Sequence, residues 1–250
     1  MISSVHIPIY CESEQAKAGS LLTLKTVRLG FPTVPITAHW MADGETIIHY
    51  MPKELTRLCT QFNIELRQGH GHRNYVLIKN LCETEETGFA VIDSDVVFFD
   101  DCEGFDSASR IAGEFIPSFD CPIAKARTAC RLHPAFFVVP DPPRLRASLA
   151  ELYQPAFPEF CPFNPFAPVT VFNHRKPLFY DVCSILYQAI GGESFDDAML
   201  DKFEHCYSGS YAHRLPFPHA KFLSECYENP AKAKGFRAVM RKFYEERKPA

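Results

Sequence analysis

Two aspartates, Asp93 and Asp95, stand one residue apart inside an otherwise apolar run: Gly88-Phe-Ala-Val-Ile92 precedes them and Val96-Val-Phe-Phe99 follows. Carboxylates in so apolar a context are costly unless something neutralises them. In an extended chain, positions i and i+2 point the same way, so the two side chains can converge on one cation. The plainer reading is a pair of acids that cap a strand and face water; the apolar flanks weigh against it. A hard divalent ion such as Mg2+ or Mn2+ takes oxygen ligands and can bridge a diphosphate. Asp100 and Asp101, beyond Phe98-Phe99, read as a solvated turn.

The acids need a frame that presents them at an open edge. The first hundred residues supply an alternation of strand and helix patterns. Val5 to Tyr10 reads as a strand, and Glu14 to Leu29 as a helix with Ser13 as N-cap and Gly30 as its stop. Pro35 to Trp40 reads as a strand, Pro52 to Phe62 as a helix, Ile64 to Leu66 as a short strand and Arg73 to Cys82 as a helix. Gly88 to Ile92 is a buried-type strand leading into Asp93, and Val96 to Phe99 continues extended. Such alternation predicts a mostly parallel sheet covered on both faces, and ligands bind such sheets at the carboxyl ends of the strands. The second half is less regular: a strand over Arg131 to Val139, a helix over Pro143 to Tyr153, a helix over Leu178 to Ile190, and a basic amphipathic helix over Ala231 to Arg247.

Four places in this order resemble the glycosyltransferases of the GT-A fold, close to family 2. They are Val5-His-Ile-Pro-Ile-Tyr10 with the long helix after it, Asp43 after the second strand, Gly69-His-Gly-His-Arg-Asn74, and Ile92-Asp-Ser-Asp-Val96. The resemblance implies a three-layer αβα sandwich with a mostly parallel central sheet. It implies one domain over 1–250, with residues 1–102 binding a nucleotide-sugar donor and 103–250 forming an acceptor part and C-terminal helix. Pro8, Tyr10, Glu12 and Asp43 would then lie by the donor base, Arg73 and Asn74 by its phosphates, and Asp93 and Ser94 by its ribose. Asp95 and Asp93 would hold Mn2+ or Mg2+, with His205 completing the metal site and Asp181, in Phe179-Tyr-Asp-Val182, acting as general base. The chain lacks the Glu-Asp pair and tryptophan-rich acceptor motif of typical members, so stereochemistry and acceptor stay open between glycan, lipid, protein and small molecule.

Each of these residues could also serve a purely structural role. Arg73 can be a planar fork for phosphate or a first-turn residue in water. Asp43 before Gly44 can be a turn former, and Asp181 a helix N-terminal acid. His213 and His219 share the candidacy of His205, and His70 and His72 read as loop. Phe157, Phe160, Phe163 and Phe166 either form an acceptor platform or pack under a loop. Lys232, Lys234, Arg237, Arg241 and Lys242 either face water from a docked helix or meet an anionic membrane at its surface.

Composition narrows the classes. The chain has 250 residues, 46% hydrophobic and 22% charged, with a formal charge of −4. That is ordinary globular composition with no basic excess for nucleic acid. The ten cysteines form no CxxC pair, which suits free thiols and a cytoplasmic setting. No signal peptide or long apolar span is expected. Asp93-Ser-Asp-Val-Val97 also fits the D-x-D-x-[TV] motif of haloacid-dehalogenase-type phosphohydrolases, although no convincing lysine and acid pair follows it. The same acids on the same alternating fold would also suit a nucleotidyltransferase or a non-catalytic nucleotide-sugar-binding protein. No G-x-S-x-G or P-loop occurs.

Overall fold

A computed structural model describes residues 1–41, 51–69, 74–107, 109–121, 126–152, 165–173, 176–206 and 219–245. The chain opens with β1 (Ser4–Ile9), α1 (Glu14–Gly30), β2 (Ile36–Trp40), α2 (Lys53–Gln61), β3 (Glu65–Gln68), α3 (Asn74–Thr84), β4 (Phe89–Ile92) and β5 (Val96–Phe98). It continues with β6 (Ala112–Ile116), β7 (Asp120–Cys121), β8 (Ala126–Thr128), β9 (Arg131–Val139), α4 (Pro142–Leu152), β10 (Val169–Asn173) and β11 (Lys176–Tyr180). Then come α5 (Ser184–Ile190), β12 (Glu193–Ser194), α6 (Asp197–Leu200), β13 (Phe203–His205), α7 (His219–Glu228) and α8 (Phe236–Glu245).

Seven strands form the central sheet in the order β12-β6-β9-β4-β1-β2-β3. β9 is antiparallel to both its neighbours, β4 and β6, while every other pairing is parallel. The sheet is therefore mostly parallel, as the alternating pattern predicts. Its central strands are buried on both faces, and β1, β2 and β4 are apolar or hydrogen-bonded at nearly every position. Alternate residues of β4 split between two cores. Ala90 and Ile92 join Leu24, Val27, Leu55 and Leu58 from α1 and α2. Phe89 and Val91 join Leu77, Ile78 and Leu81 from α3, with Leu145 from α4 and Leu186 from α5. Helices thus cover both faces, and the three-layer αβα arrangement holds.

Local chemistry fixes α1 where the sequence places it. Ser13 accepts from the Ala16 N–H at 3.1 Å as N-cap. At the far end, a Cβ on Gly30 would stand 2.4 Å from the Phe98 ring, so only glycine lets α1 lie this close to β5.

Two expected helices are corrected. Leu178 to Ile190 is not one helix: Lys176–Tyr180 is the strand β11, and α5 starts at Ser184 after Cys183 takes a left-handed backbone (φ 62). The Leu-Phe-Tyr run suits a pleated surface, and Leu178 and Phe179 pair with Arg127 and Thr128 of β8. Ala231 to Arg247 is likewise broken. A 3-10 turn at Pro230–Ala233 is followed by Gly235 at φ 82, and only then by α8.

Candidate metal centre at the carboxyl edge of the sheet

The Asp93-Ser94-Asp95 step leaves the carboxyl end of β4 and turns into β5. It is a turn, not the extended step that i, i+2 spacing suggests. The Asp93 N–H donates to the Ala135 carbonyl of β9 at 2.8 Å, and Asp93 Oδ1 accepts from the Ser94 N–H at 2.9 Å. On the other side, the Asp95 carbonyl accepts from the Cys206 N–H at 2.8 Å. The two acids converge because both flanks of the turn are tied down.

β5 carries the turn onward and recruits the third member. Two of its N–H groups, at Val96 and Phe98, donate to the hydroxyls of Thr23 and Thr26 on α1 (3.0 and 3.3 Å). Its other edge pairs antiparallel with β13, with His205 opposite Val96. That register brings His205 Nε2 to 3.0 Å from Asp95 Oδ1. Asp93, Asp95 and His205 each offer a ligand atom, and these atoms lie within 4.8 Å of one another. The expectation of an open-edge carboxylate at Asp95 is corrected: Asp95 is 2% exposed and His205 6%. Asp93 is half-buried.

The electrostatics of the three groups belong together. Burial and the Asp95 charge push the Asp93 carboxyl up to about 7, against the pull of His205 and the Ser94 N–H. Burial alone would lower the His205 pKa, but Asp95, Asp93 and Glu114 outweigh it and raise it. Two carboxylates and one imidazole thus lie together in a low-dielectric setting. Two oxygens and one nitrogen are a donor set that a divalent cation accepts, so the residues present fit such an ion.

Tyr10 feels the charge of Asp93. Burial first, then Asp93 and Glu12, raise the Tyr10 phenol, while the Asn74 backbone N–H at the start of α3 stabilises its oxygen. Glu12 is exposed. Pro8 is buried inside β1, opposite His39. Ser94 is 3% exposed.

Asp181 is not one of the three converging groups: its Oδ2 pairs with Arg131 Nη2 at 2.8 Å and its Oδ1 accepts from the Val182 N–H at 2.8 Å. His219 stacks against Phe222 and lies beside Phe236. Phe166 is a core residue, 2% exposed. Asp100 and Asp101 accept from the N–H groups of Asp101 and Glu103, as a turn requires. Asp43, His70, His72, Arg73, Phe157, Phe160, Phe163 and His213 lie outside the described residues.

The basic residues of the C-terminal segment differ in their surroundings. Arg237 is half-buried, with Nε 3.2 Å from Glu114 and its backbone N–H donating to Glu204 at 2.8 Å. Lys232 pairs with Glu225 at 3.0 Å, and Lys234 lies 5.0 Å from the centre of the Phe99 ring.

Sequence reasoning missed His133 and the Glu114–Arg237–Glu204 cluster. β9 bulges against β6: Gly113 faces Phe137, yet Glu114 faces His133. The bulge turns His133 toward the centre, its ring centroid 4.7 Å from that of His205. His133 stands in an apolar strand pattern, Arg131-Leu-His-Pro-Ala, where only the proline hinted at irregularity.

No family model matches the chain, and no curated protein matches it in sequence. Among solved structures, the PaToxG glycosyltransferase is similar over 61% of this chain and 60% of its own, at 10% identity and a TM-score of 0.39. The glycosyltransferase GlyE of Streptococcus pneumoniae TIGR4 is similar over 79% of this chain and 46% of its own, at 11% identity and a TM-score of 0.43. Its apo form gives a TM-score of 0.41 over the same shares. The chain spans less than two thirds of the length of each of these structures.

Proposed function

We propose that this chain is a metal-dependent glycosyltransferase that moves a sugar from a nucleoside-diphosphate sugar to a hydroxyl acceptor. The observation that carries the reading is the convergence of Asp93, Asp95 and His205 within 4.8 Å beyond the carboxyl end of β4. That is the edge of a mostly parallel sheet where nucleotides and their phosphates bind. The sequence motifs that resemble GT-A transferases supply the donor class.

Asp93, Asp95 and His205 would hold the ion, Mn2+ or Mg2+. A divalent cation bound there supplies Lewis-acid stabilisation of a departing diphosphate. Tyr10, whose phenol feels the Asp93 charge and accepts from the Asn74 N–H, would meet the donor beside the ion. The buried Asp95–His205 pair forms the dry floor. In the transfer, the acceptor oxygen bonds to the anomeric carbon as the bond from that carbon to the diphosphate breaks. Asp181, held by Arg131 and the Val182 N–H, keeps further lone pairs on its carboxylate and would take the acceptor proton if the reaction inverts.

A phosphohydrolase of the haloacid dehalogenase type would use the same two acids. Among the described residues, the charges that act on Asp93 are those of Asp95 and His205. A thermal-shift panel of nucleotide sugars and nucleoside diphosphates, each with Mn2+ or with EDTA, tests the reading. One nucleotide diphosphate should raise the midpoint with Mn2+ and lose its effect in EDTA. No shift with any member would count against it.

A further inference from the structure

The three candidate ligands come from a turn and from a strand of three residues, neither of which is rigid by itself. Something behind them must fix their directions. His133 of β9 is in contact with the supports of two of the three. Its ring meets that of His205 edge to face, at 4.7 Å between centroids and 63° between planes. Its Nδ1 accepts from the Ala135 N–H at 3.0 Å. The carbonyl of that same Ala135 accepts from the Asp93 N–H at 2.8 Å. Because Nδ1 is an acceptor, the ring proton of neutral His133 sits on Nε2. The geometry exists only because β9 bulges between the residues facing Gly113 and Glu114; bulges next to functional sites re-aim a side chain in this way.

We infer that His133 is a positioning residue of the metal centre, orienting His205 through its ring and Asp93 through Ala135. It is not itself one of the three converging groups. This inference rests on the proposed metal site. Residues that orient metal ligands from behind change affinity by about 10- to 100-fold when removed.

The test is a Mn2+ titration of the full chain, with free Mn2+ followed by electron paramagnetic resonance. It compares the wild type with His133→Ala, His133→Asn and His133→Phe, and the thermal midpoint of each metal-free protein is measured alongside. His133→Ala should bind Mn2+ at least about tenfold more weakly. His133→Asn restores an acceptor for the Ala135 N–H, and His133→Phe restores a ring against His205, so each should recover part of the affinity. A residue that serves only the fold would lower the midpoint and leave the affinity of the folded protein unchanged. Wild-type affinity in all folded variants overturns the inference and leaves the metal site standing. Absence of Mn2+ binding in the wild type overturns both. Should His133→Ala not fold, the two remaining variants carry the same comparison, each expected to bind more weakly than wild type.

Discussion

Asp95 differs from Asp93 in what its charge must face. Asp93 is half-buried, and burial with the neighbouring charge moves its carboxyl up to about 7. Asp95 is 2% exposed and lies 3.0 Å from His205. Replacing Asp95 with asparagine keeps the shape and removes one of two repelling charges. We expect Asp95→Asn to lose Mn2+ binding while the metal-free midpoint stays level or rises. Mn2+ titration and a melting curve of one preparation check both, and a collapse of the fold would mean that Asp95 is structural. At this scale the sequence was informative for a simple reason: two acids flanked by Phe-Ala-Val-Ile and Val-Val-Phe-Phe have no cheap structural role. The i, i+2 argument expects an extended step, whereas a turn brings the two acids together. His133 was illegible because a histidine in a buried strand pattern gives no sign of a bulge made by cross-strand register.

Among the elements, the shortest strands, including the one that carries His205, are the ones the sequence concealed. β13 has three residues and β12 two, too few for any periodicity. The long, capped or strongly apolar segments were legible: α1 with its Ser13 cap, β1, β4 and the nine residues of β9. What holds β13 in place is the segment after Gly235. Glu204 accepts from the N–H groups of Gly235 and Arg237, and Arg237 spans to Glu114 of β6. Burial raises Glu204, an effect that Arg237 and the two N–H groups oppose. Arg237→Met would leave two buried carboxylates without their cation, at a cost of about 3–5 kcal/mol. Urea denaturation should show that loss. A change below about 1 kcal/mol would mean that the ion pairs are screened like surface ones.

The molecule as a whole is stabilised by a sheet with few polar groups inside, so those few set its response to pH. His6 of β1 bonds His39 of β2 through Nδ1 at 3.0 Å and Ser4 through Nε2 at 3.1 Å, with the Phe89 ring edge-on. Burial first, then His39 and Arg67, lower the His6 pKa from 6.5 to about 3. Folded His6 is thus neutral where the unfolded chain would already take a proton. Its contribution is full above pH about 6.5 and is lost as pH falls toward 3, at no more than about 1.4 kcal/mol per unit. His6→Gln removes the titration and keeps polar partners. The stability difference between wild type and His6→Gln should therefore shift against the wild type between pH 7 and pH 4.5, as read by denaturant melts. A constant difference would contradict this assignment.

The three-layer architecture was readable from the alternation of the first hundred residues. The reversed β9, and the contribution of β6, β9 and β12 to the same sheet, were not, because long-range pairing leaves no local signature. Product analysis tests directly which bond a catalyst at this edge of the sheet would break. The full chain is incubated with Mn2+ and a panel of nucleotide sugars, and both nucleoside diphosphate and orthophosphate are measured over time, with EDTA and Asp95→Asn as controls. Our account predicts nucleoside diphosphate released from one donor, absent in both controls. Orthophosphate from simple phosphate esters, with every nucleotide sugar left intact, would contradict it.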